Sequence, residues 1–415
     1  MQARSIRFVK KLEGNVDDYV AEAINFIQKN VGPEEKVICA LSGGVDSSVV
    51  AGLFTRAIGK RLHLIHIDTG FMRSINGKYE SEIIKERFKD VENFEVVNKR
   101  EMFYDRIFGI KDAEEKRKAF RKTYEDVINE KIEEIGASLA TQGTIRPDIE
   151  ETEGNIKSQN NVDTIFNVNR LVEPIAGLYK PDVRIVAKKL GLETYMRQPF
   201  PGPGLSVRTV GEIDAEKLKN ERVANDITER FIENYFMSLY GKECLFEPVK
   251  GNRIPFQYFA GTFDSDMDIV PEVKKYLEKM GLKNVFPFVL RNKTTGVKEV
   301  KEEDEKIRRE RIYSHPILLR GCLDSVMLKK LGEKIPENFE YSRVFYEVFD
   351  RPDNLIGDYL VAIRAVDSED ALYAQPLSIP LSQLTSLGEK IIKKTDVGIV
   401  AYDITPKPPA TIEYE

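Results

Sequence analysis

Cysteine is scarce in this chain and tryptophan is absent. The three cysteines among 415 residues, Cys39, Cys244 and Cys322, lie far apart and form no C-x-x-C pair. That excludes both a disulfide framework and a four-ligand zinc site, and fits a reducing, cytoplasmic compartment. Histidine occurs only at His63, His66 and His315, too few for a mechanism built on several imidazoles. No uncharged run approaches the roughly 18 to 20 residues that cross a bilayer, so no membrane span is expected. The first residues scatter Arg4, Arg7, Lys10 and Lys11 among short apolar groups, without the apolar core and small-residue cleavage site of a secretory signal. A basic excess is missing as well. The 63 Lys and Arg against 68 Asp and Glu leave a net charge of −5, so there is no global field for nucleic acid, although local clusters can still bind phosphates.

What is present is the composition of a soluble globular protein, 41% hydrophobic and 32% charged, long enough for two or three domains at roughly 150 residues each. Val20, Ala23, Ile24, Ile27 and Val31 recur at helical spacing before Gly32 and Pro33, predicting a helix and a turn. Lys36 to Leu41 is a short apolar run suited to a buried parallel strand, and Val49 to Ile58 an apolar helix. Strands over Leu62 to Ile67, Phe94 to Val97 and Leu139 to Thr141, with a helix over Ser81 to Lys89, continue the alternation. The fold class is therefore α/β, a doubly wound parallel sheet with ligands beyond its C-terminal strand ends. Lys99 to Glu134 is charge-rich and reads as one or two exposed helices.

Three prolines and two glycines in Gln198-Pro-Phe-Pro-Gly-Pro-Gly204 make a rigid turn and a natural boundary. The division predicted is 1–198 for nucleotide binding and 199–415 for an α+β domain of antiparallel strands. Within the latter, Lys298 to Arg311 reads as a linker or exposed helix. Ile254 to Met280 and Val344 to Lys394 look loosely alike, hinting at a duplicated subdomain.

The strongest chemical signal is Ser42-Gly-Gly-Val-Asp-Ser-Ser48, between a strand and a helix. Gly43 and Gly44 let the backbone approach a ligand, and successive amides around Val45 form an anion nest. The following helix aims its positive end at the same point. A polyphosphate is the expected guest. The loop lacks the lysine of a Walker motif. Ser42, Ser47 and Ser48 add hydroxyl donors, while Asp46 would repel a bare phosphate and makes sense once Mg²⁺ lies between.

This loop resembles the PP-loop of the ATP pyrophosphatases, which cleave ATP to AMP and pyrophosphate while adenylating a carbonyl oxygen. Further stretches resemble the synthetase part of GMP synthases: His66-Ile-Asp-Thr-Gly-Phe-Met-Arg73, Glu114-Glu-Lys-Arg-Lys118, Gln142-Gly-Thr-Ile-Arg-Pro-Asp148, Ile156-Lys-Ser158, Pro199 to Leu205 with Arg208, Ile363-Arg-Ala-Val366, and Tyr402 to Glu415. The resemblance implies that Ser42 to Ser48 and Gly143 hold ATP, with Mg²⁺ on Asp46. It implies that Asp68 to Arg73 border the nucleoside and that Lys157 reaches the pyrophosphate. Arg208, Lys407 and Glu413 would hold a purine nucleotide, XMP, and the C-terminal domain would form a homodimer. Lys407 lies between Pro406 and Pro408, which restrict its backbone, and an arginine with a lysine suits a phosphate. Where the family carries two histidines after its Lys-Ser pair, this chain has Gln159 and Asn160, which cannot titrate near neutral pH. Nor does a glutamine precede the strand at Pro316, where Ser314 and His315 stand.

Met1 to Leu41 is too short for a glutaminase, so ammonia is expected from solution or from a separate glutamine amidotransferase subunit. Three readings stay open: an XMP-aminating ligase, a paralogous ligase activating another purine-like carbonyl, and an ATP-binding regulatory protein without amination. A tRNA thiolase fits less well, lacking a cysteine pair and a basic excess.

Overall fold

The computed structural model describes residues 3–153, 166–246, 253–301, 307–351, 357–368 and 372–415. In chain order the first unit runs β1 (Arg4–Arg7), α1 (Val16–Asn30), β2 (Val37–Ala40), α2 (Val45–Ile58), β3 (Leu62–Asp68), the small hairpin β4 (Ser74–Ile75) and β5 (Lys78–Tyr79), and α3 (Glu80–Phe88). It continues with β6 (Phe94–Asn98), α4 (Arg100–Ile107), α5 (Ala113–Ile135), β7 (Leu139–Thr141), α6 (Arg146–Glu153), β8 (Arg170–Glu173) and α7 (Lys180–Lys189). Six strands form a wholly parallel sheet in the order β1-β8-β7-β2-β3-β6. Helices α1, α2 and α7 cover one face, with Ala23, Ile27, Val49, Phe54 and Val183 buried. Helices α4 and α5 cover the other, with Phe103, Phe120, Val127 and Ile132 buried. Strand order reverses beside β2, whose successors β3 and β6 lie to one side and β7 and β8 to the other. The crevice at that reversal is where such sheets bind ligands.

The expected helix–strand alternation is present, but α5 is not simply solvated. Lys116 is fully buried, its ammonium donating to the carbonyls of Thr209 at 3.0 Å and Gly211 at 2.9 Å and pairing with Glu415.

The second unit comprises α8 (Ala215–Tyr240), β9 (Gln257–Asp264), β10 (Met267–Ile269), α9 (Pro271–Lys279), β11 (Phe286–Leu290), β12 (Thr294–Lys301), β13 (Ile307–Ser314), β14 (Pro316–Arg320) and α10 (Ser325–Asn338). After these come β15 (Arg343–Asp350), β16 (Tyr359–Asp367), β17 (Gln375–Pro376), α11 (Leu381–Ile392) and β18 (Val397–Asp403). Its main sheet is ordered β10-β11-β14-β15-β18-β16-β17, with β9 also paired to β16. It is mixed rather than antiparallel: β14 with β15 and β16 with β18 are parallel pairs, because α10 and α11 act as crossovers. The expected internal likeness extends to element order but not to pairing, since β16 pairs with β18 in parallel whereas β9 does not pair with β11. The order strand, short strand, helix, strand of β9-β10-α9-β11 occurs again in β16-β17-α11-β18, which begins at Tyr359 rather than Val344.

The stretch Lys298 to Arg311 is corrected too. Its described residues are strand, 298–301 in β12 and 307–311 in β13, which pair antiparallel from Thr294 with Ser314 through Lys301 with Ile307. Its charges hid the period-2 pattern.

Helices α8 to α11 bury one face of this sheet. The C-terminal tail seals the other, where Tyr414 is fully buried edge-on against Phe259, Phe263 and Phe345, at 5.4, 5.2 and 5.9 Å between ring centroids.

Candidate active site

The loop after β2 turns sharply at Gly43, whose φ of +83° is strained for any side chain. A Cβ there would also lie 2.6 Å from Ile84 Cδ1. Gly44 caps α2, so the free amides of the first turn face the crevice. The hydroxyls are arranged by the turn itself: Ser42 Oγ lies 3.0 Å from Ser47 Oγ, and Ser48 Oγ donates to the Gly44 carbonyl at 2.7 Å. Gly143, following β7, comes so near that a Cβ would sit 3.0 Å from Asp46 Cβ and 3.3 Å from the Ser47 amide nitrogen. A side chain there would intrude on the loop.

Beyond the loop opens a cavity of about 330 Å³. The PP-loop residues Ser42 to Asp46 form its floor, Thr69 and Met72 one wall, and Pro199 to Gly202 the facing wall. Among the described residues this crevice unites the two most distinctive sequence motifs. Its cations are Arg73, Lys180, Arg184 and Arg197. Lys180, the first residue of α7, donates to Asp46 Oδ2 at 2.5 Å. Sequence reading missed it, although Pro181 in the first turn marks a helix start that faces the loop. Burial pushes the Arg197 guanidinium down to about 10, against the pull of Glu80.

A magnesium ion fits these residues. Asp46 Oδ1 is buried without a hydrogen-bond partner. Nearby Asp148 is pushed up to about 6, chiefly by burial and then by the negative charge of Asp46. A divalent cation would offset the charge that Asp46 sets against Asp148 and give Asp46 Oδ1 a partner. No cluster of three or more His, Cys, Asp or Glu ligands occurs among the described residues, so such an ion would complete its shell with phosphate oxygens and water.

Other sequence assignments shift. Asp68 does not face the cavity: its side chain is 5% exposed and takes Arg100 Nη2 at 2.7 Å, Tyr79 Oη at 2.8 Å and the Gly70 amide at 3.1 Å. Its carboxyl is held below the usual range by those donors, although burial opposes them. Its role is to fix the turn after β3, and Thr69 and Met72 line the cavity instead. Arg73 reaches the cavity wall but is committed to Glu229, at 2.9 and 3.0 Å. His66 is a buried core imidazole between the Leu41 carbonyl and Ser81 Oγ, at 2.8 and 2.9 Å, and burial lowers its pKa. Lys157, Gln159 and Asn160 lie outside the described residues.

The residues expected to hold a second nucleotide converge in part. Arg208 is fully buried and clamps Glu413 through two hydrogen bonds of 3.0 Å, while Gln257 Nε2 donates to the same carboxylate at 2.5 Å. The Arg208 guanidinium lies over Phe259 and Phe200, 4.0 and 5.1 Å from the ring centroids. Lys407 is half-buried, and its backbone bridges to Ala374 in both directions, at 2.8 and 3.1 Å. Arg208 and Glu413 thus meet each other directly.

Known proteins match both halves. A family model described as "NAD synthase" matches residues 19–99, the loop and its flanking strands, and one described as "GMP synthase C terminal domain" matches 353–414. A subunit of the GMP synthase (glutamine-hydrolyzing) from Saccharolobus islandicus is 36% identical over 406 residues, 93% of this chain and 98% of the relative. The subunit of the same name from Methanoculleus marisnigri is 35% identical over 407 residues, 97% of this chain and 99% of the relative. The one from Methanoregula boonei is 36% identical over 408 residues, 96% and 99%. With a glycine-rich loop at the switch point of a parallel sheet, and likeness running the length of both chains, this chain belongs to the same family as these GMP synthase subunits.

Proposed function

We propose that this chain is the ATP-dependent ligase of a two-subunit GMP synthase. The 2-oxo oxygen of XMP attacks the α-phosphorus of ATP, pyrophosphate leaves, and ammonia then attacks C2 and displaces AMP to give GMP. The observation that carries this reading is the cavity lined by the PP-loop, Lys180 and the proline loop, since the first two suit a pyrophosphate and the third carries Phe200, whose ring lies 5.1 Å from the Arg208 guanidinium. The loop amides from Gly44 to Ser47 and the Lys180 ammonium bind the β- and γ-phosphates and stabilise charge as it develops on the leaving group. Asp46 Oδ1, with Asp148, would hold Mg²⁺, which would neutralise phosphate charge. The proline loop, stiffened by Pro199, Pro201 and Pro203, orients the acceptor and excludes water; much of the rate then comes from positioning.

Residues 1–198 serve ATP in this proposal, and 199–415 serve XMP and dimerisation. Arg208, Lys407 and Glu413 hold XMP once the tail opens. A separate subunit that hydrolyses glutamine supplies ammonia, in keeping with the names of the relatives. Cytoplasmic action agrees with three free cysteines, and among the described residues no helix is long and apolar enough to cross a membrane.

The test is release of AMP and pyrophosphate from Mg-ATP with ammonium and a panel of purine nucleotides. Turnover with XMP alone is the expected result. Turnover only with another carbonyl compound moves the assignment to a paralogous ligase, and ATP binding without any turnover refutes catalysis.

A further inference from the structure

Charged side chains of alternating sign connect the PP-loop to the C-terminal tail. Arg197 Nη1 donates to the Gly43 carbonyl at 3.2 Å and to Glu80 Oε1 at 2.8 Å. Glu80 Oε2 lies 3.5 Å from Arg73 Nε, beyond hydrogen-bonding geometry, and both atoms are buried without a hydrogen-bond partner. Arg73 Nη1 donates to both oxygens of Glu229. Glu229 Oε1 also takes Asn225 Nδ2 at 2.9 Å and lies 3.7 Å from Arg208 Nη1. Arg208 in turn clamps Glu413. The Phe200 ring of the proline loop sits under both arginines, 4.6 Å from Arg73 Cζ and 5.1 Å from that of Arg208. Neither Arg73 nor Arg208 is more than 4% exposed, so little solvent screens one link from the next.

We propose that Glu229 is a positioning residue that couples nucleotide binding at the tail to the ATP cavity. The inference rests on the functional reading above, which puts XMP at Glu413. A nucleotide that engages Glu413 takes it from Arg208. The Nε and Nη2 edge of Arg208, freed from Glu413, meets the nucleotide, while Nη1 keeps Glu229 Oε1 as its nearest carboxylate and draws it over. Arg73, now less neutralised, turns its charge to the ATP cavity that it lines. Phe200, in contact with both guanidinium groups, moves the proline loop with them. Each ligand therefore tightens the other, as coupling between sites requires.

The test is calorimetric, using the full chain, Mg²⁺ and α,β-methylene-ATP, which cannot be split between its α- and β-phosphates. In the wild type, XMP should tighten analogue binding by at least about fivefold, the lower end of common coupling. In Glu229→Gln the coupling should fall below about twofold while each ligand alone still binds. Glu413→Gln should raise analogue affinity with no XMP present, because it weakens the clamp on Arg208 from the tail side. Undiminished coupling in Glu229→Gln, or unchanged analogue affinity in Glu413→Gln, overturns the proposal. If the wild type does not bind XMP, the functional reading fails and Glu413→Gln still decides the coupling; it decides likewise if Glu229→Gln does not fold.

Discussion

Lys180 gives the sharpest test of the catalytic geometry, because no motif in the loop announces it. Its ammonium contacts Asp46 at 2.5 Å, and the side chain is 35% exposed. In that setting the ion pair itself adds little to folding, on the order of 0 to 1 kcal/mol. Lys180→Ala should therefore leave the melting temperature within a few degrees. Its effect on ATP should be much larger. A charge-assisted hydrogen bond to phosphate contributes about 1.5 to 3 kcal/mol, which is roughly 10- to 150-fold. The loss also leaves Asp46 without its neutralising partner, facing the incoming phosphates. We expect kcat/KM for ATP, followed by pyrophosphate release at saturating XMP and ammonium, to fall by at least about 30-fold within that range. Lys180→Arg should recover part of it, since the charge is kept but the reach differs. A folded Lys180→Ala protein with wild-type kcat/KM would refute the assignment of the ammonium to the phosphates.

Three further outcomes follow from the packing and charge. Asp148 binds its proton more tightly in the folded state, with a pKa of about 6, so its contribution favours folding most below about pH 4 and is lost as pH rises towards 6, by about 2 to 3 kcal/mol at most. Asp148→Asn should thus be more stable than wild type at pH 7.5 and show little gain at pH 4, in denaturant titrations without magnesium; equal gains at both pH values contradict the burial argument. Tyr414→Ala should cost about 3 to 5 kcal/mol, read as a lower denaturation midpoint, and a loss under about 1 kcal/mol would mean that the tail does not seal the sheet. Gly43→Ala combines a left-handed φ with a clash against Ile84, so it should lose at least about 1 kcal/mol of stability and most ATP binding; full ATP affinity in that variant argues against the loop geometry.

The parts legible in the sequence were those governed by local rules. The apolar run at Val37 to Ala40, the glycines at 43 and 44 and the apolar helix after them allow one arrangement, and the chain adopts it. What stayed hidden depends on distant partners. Lys116, Asn225 and Glu229 stand in polar helical stretches that resemble solvated faces, yet each is satisfied by groups far along the chain or packed between the two units. Lys180 and Arg197 gain meaning only when β2 and α7 come together. The hairpin at Thr294 to Ser314 was obscured for another reason: its strands carry charge in place of an apolar stripe. Burial of Tyr414 and Glu415 also alters what truncation can reveal. Removing residues 406 to 415 would strip a core face, take Glu413 from Arg208 and take the Thr411 and Glu413 acceptors from Arg343, so single substitutions are the cleaner probe of nucleotide binding.

The central claim is that the 2-oxo oxygen of XMP attacks ATP at the α-phosphorus, and isotope transfer tests it most directly. XMP carrying ¹⁸O at C2 would be incubated with the full chain, Mg-ATP and ammonium, and the AMP analysed by mass spectrometry. One ¹⁸O is expected in the phosphate of each AMP, matched mole for mole by GMP and unlabelled pyrophosphate. AMP without the label, or formed in the absence of XMP, would contradict it.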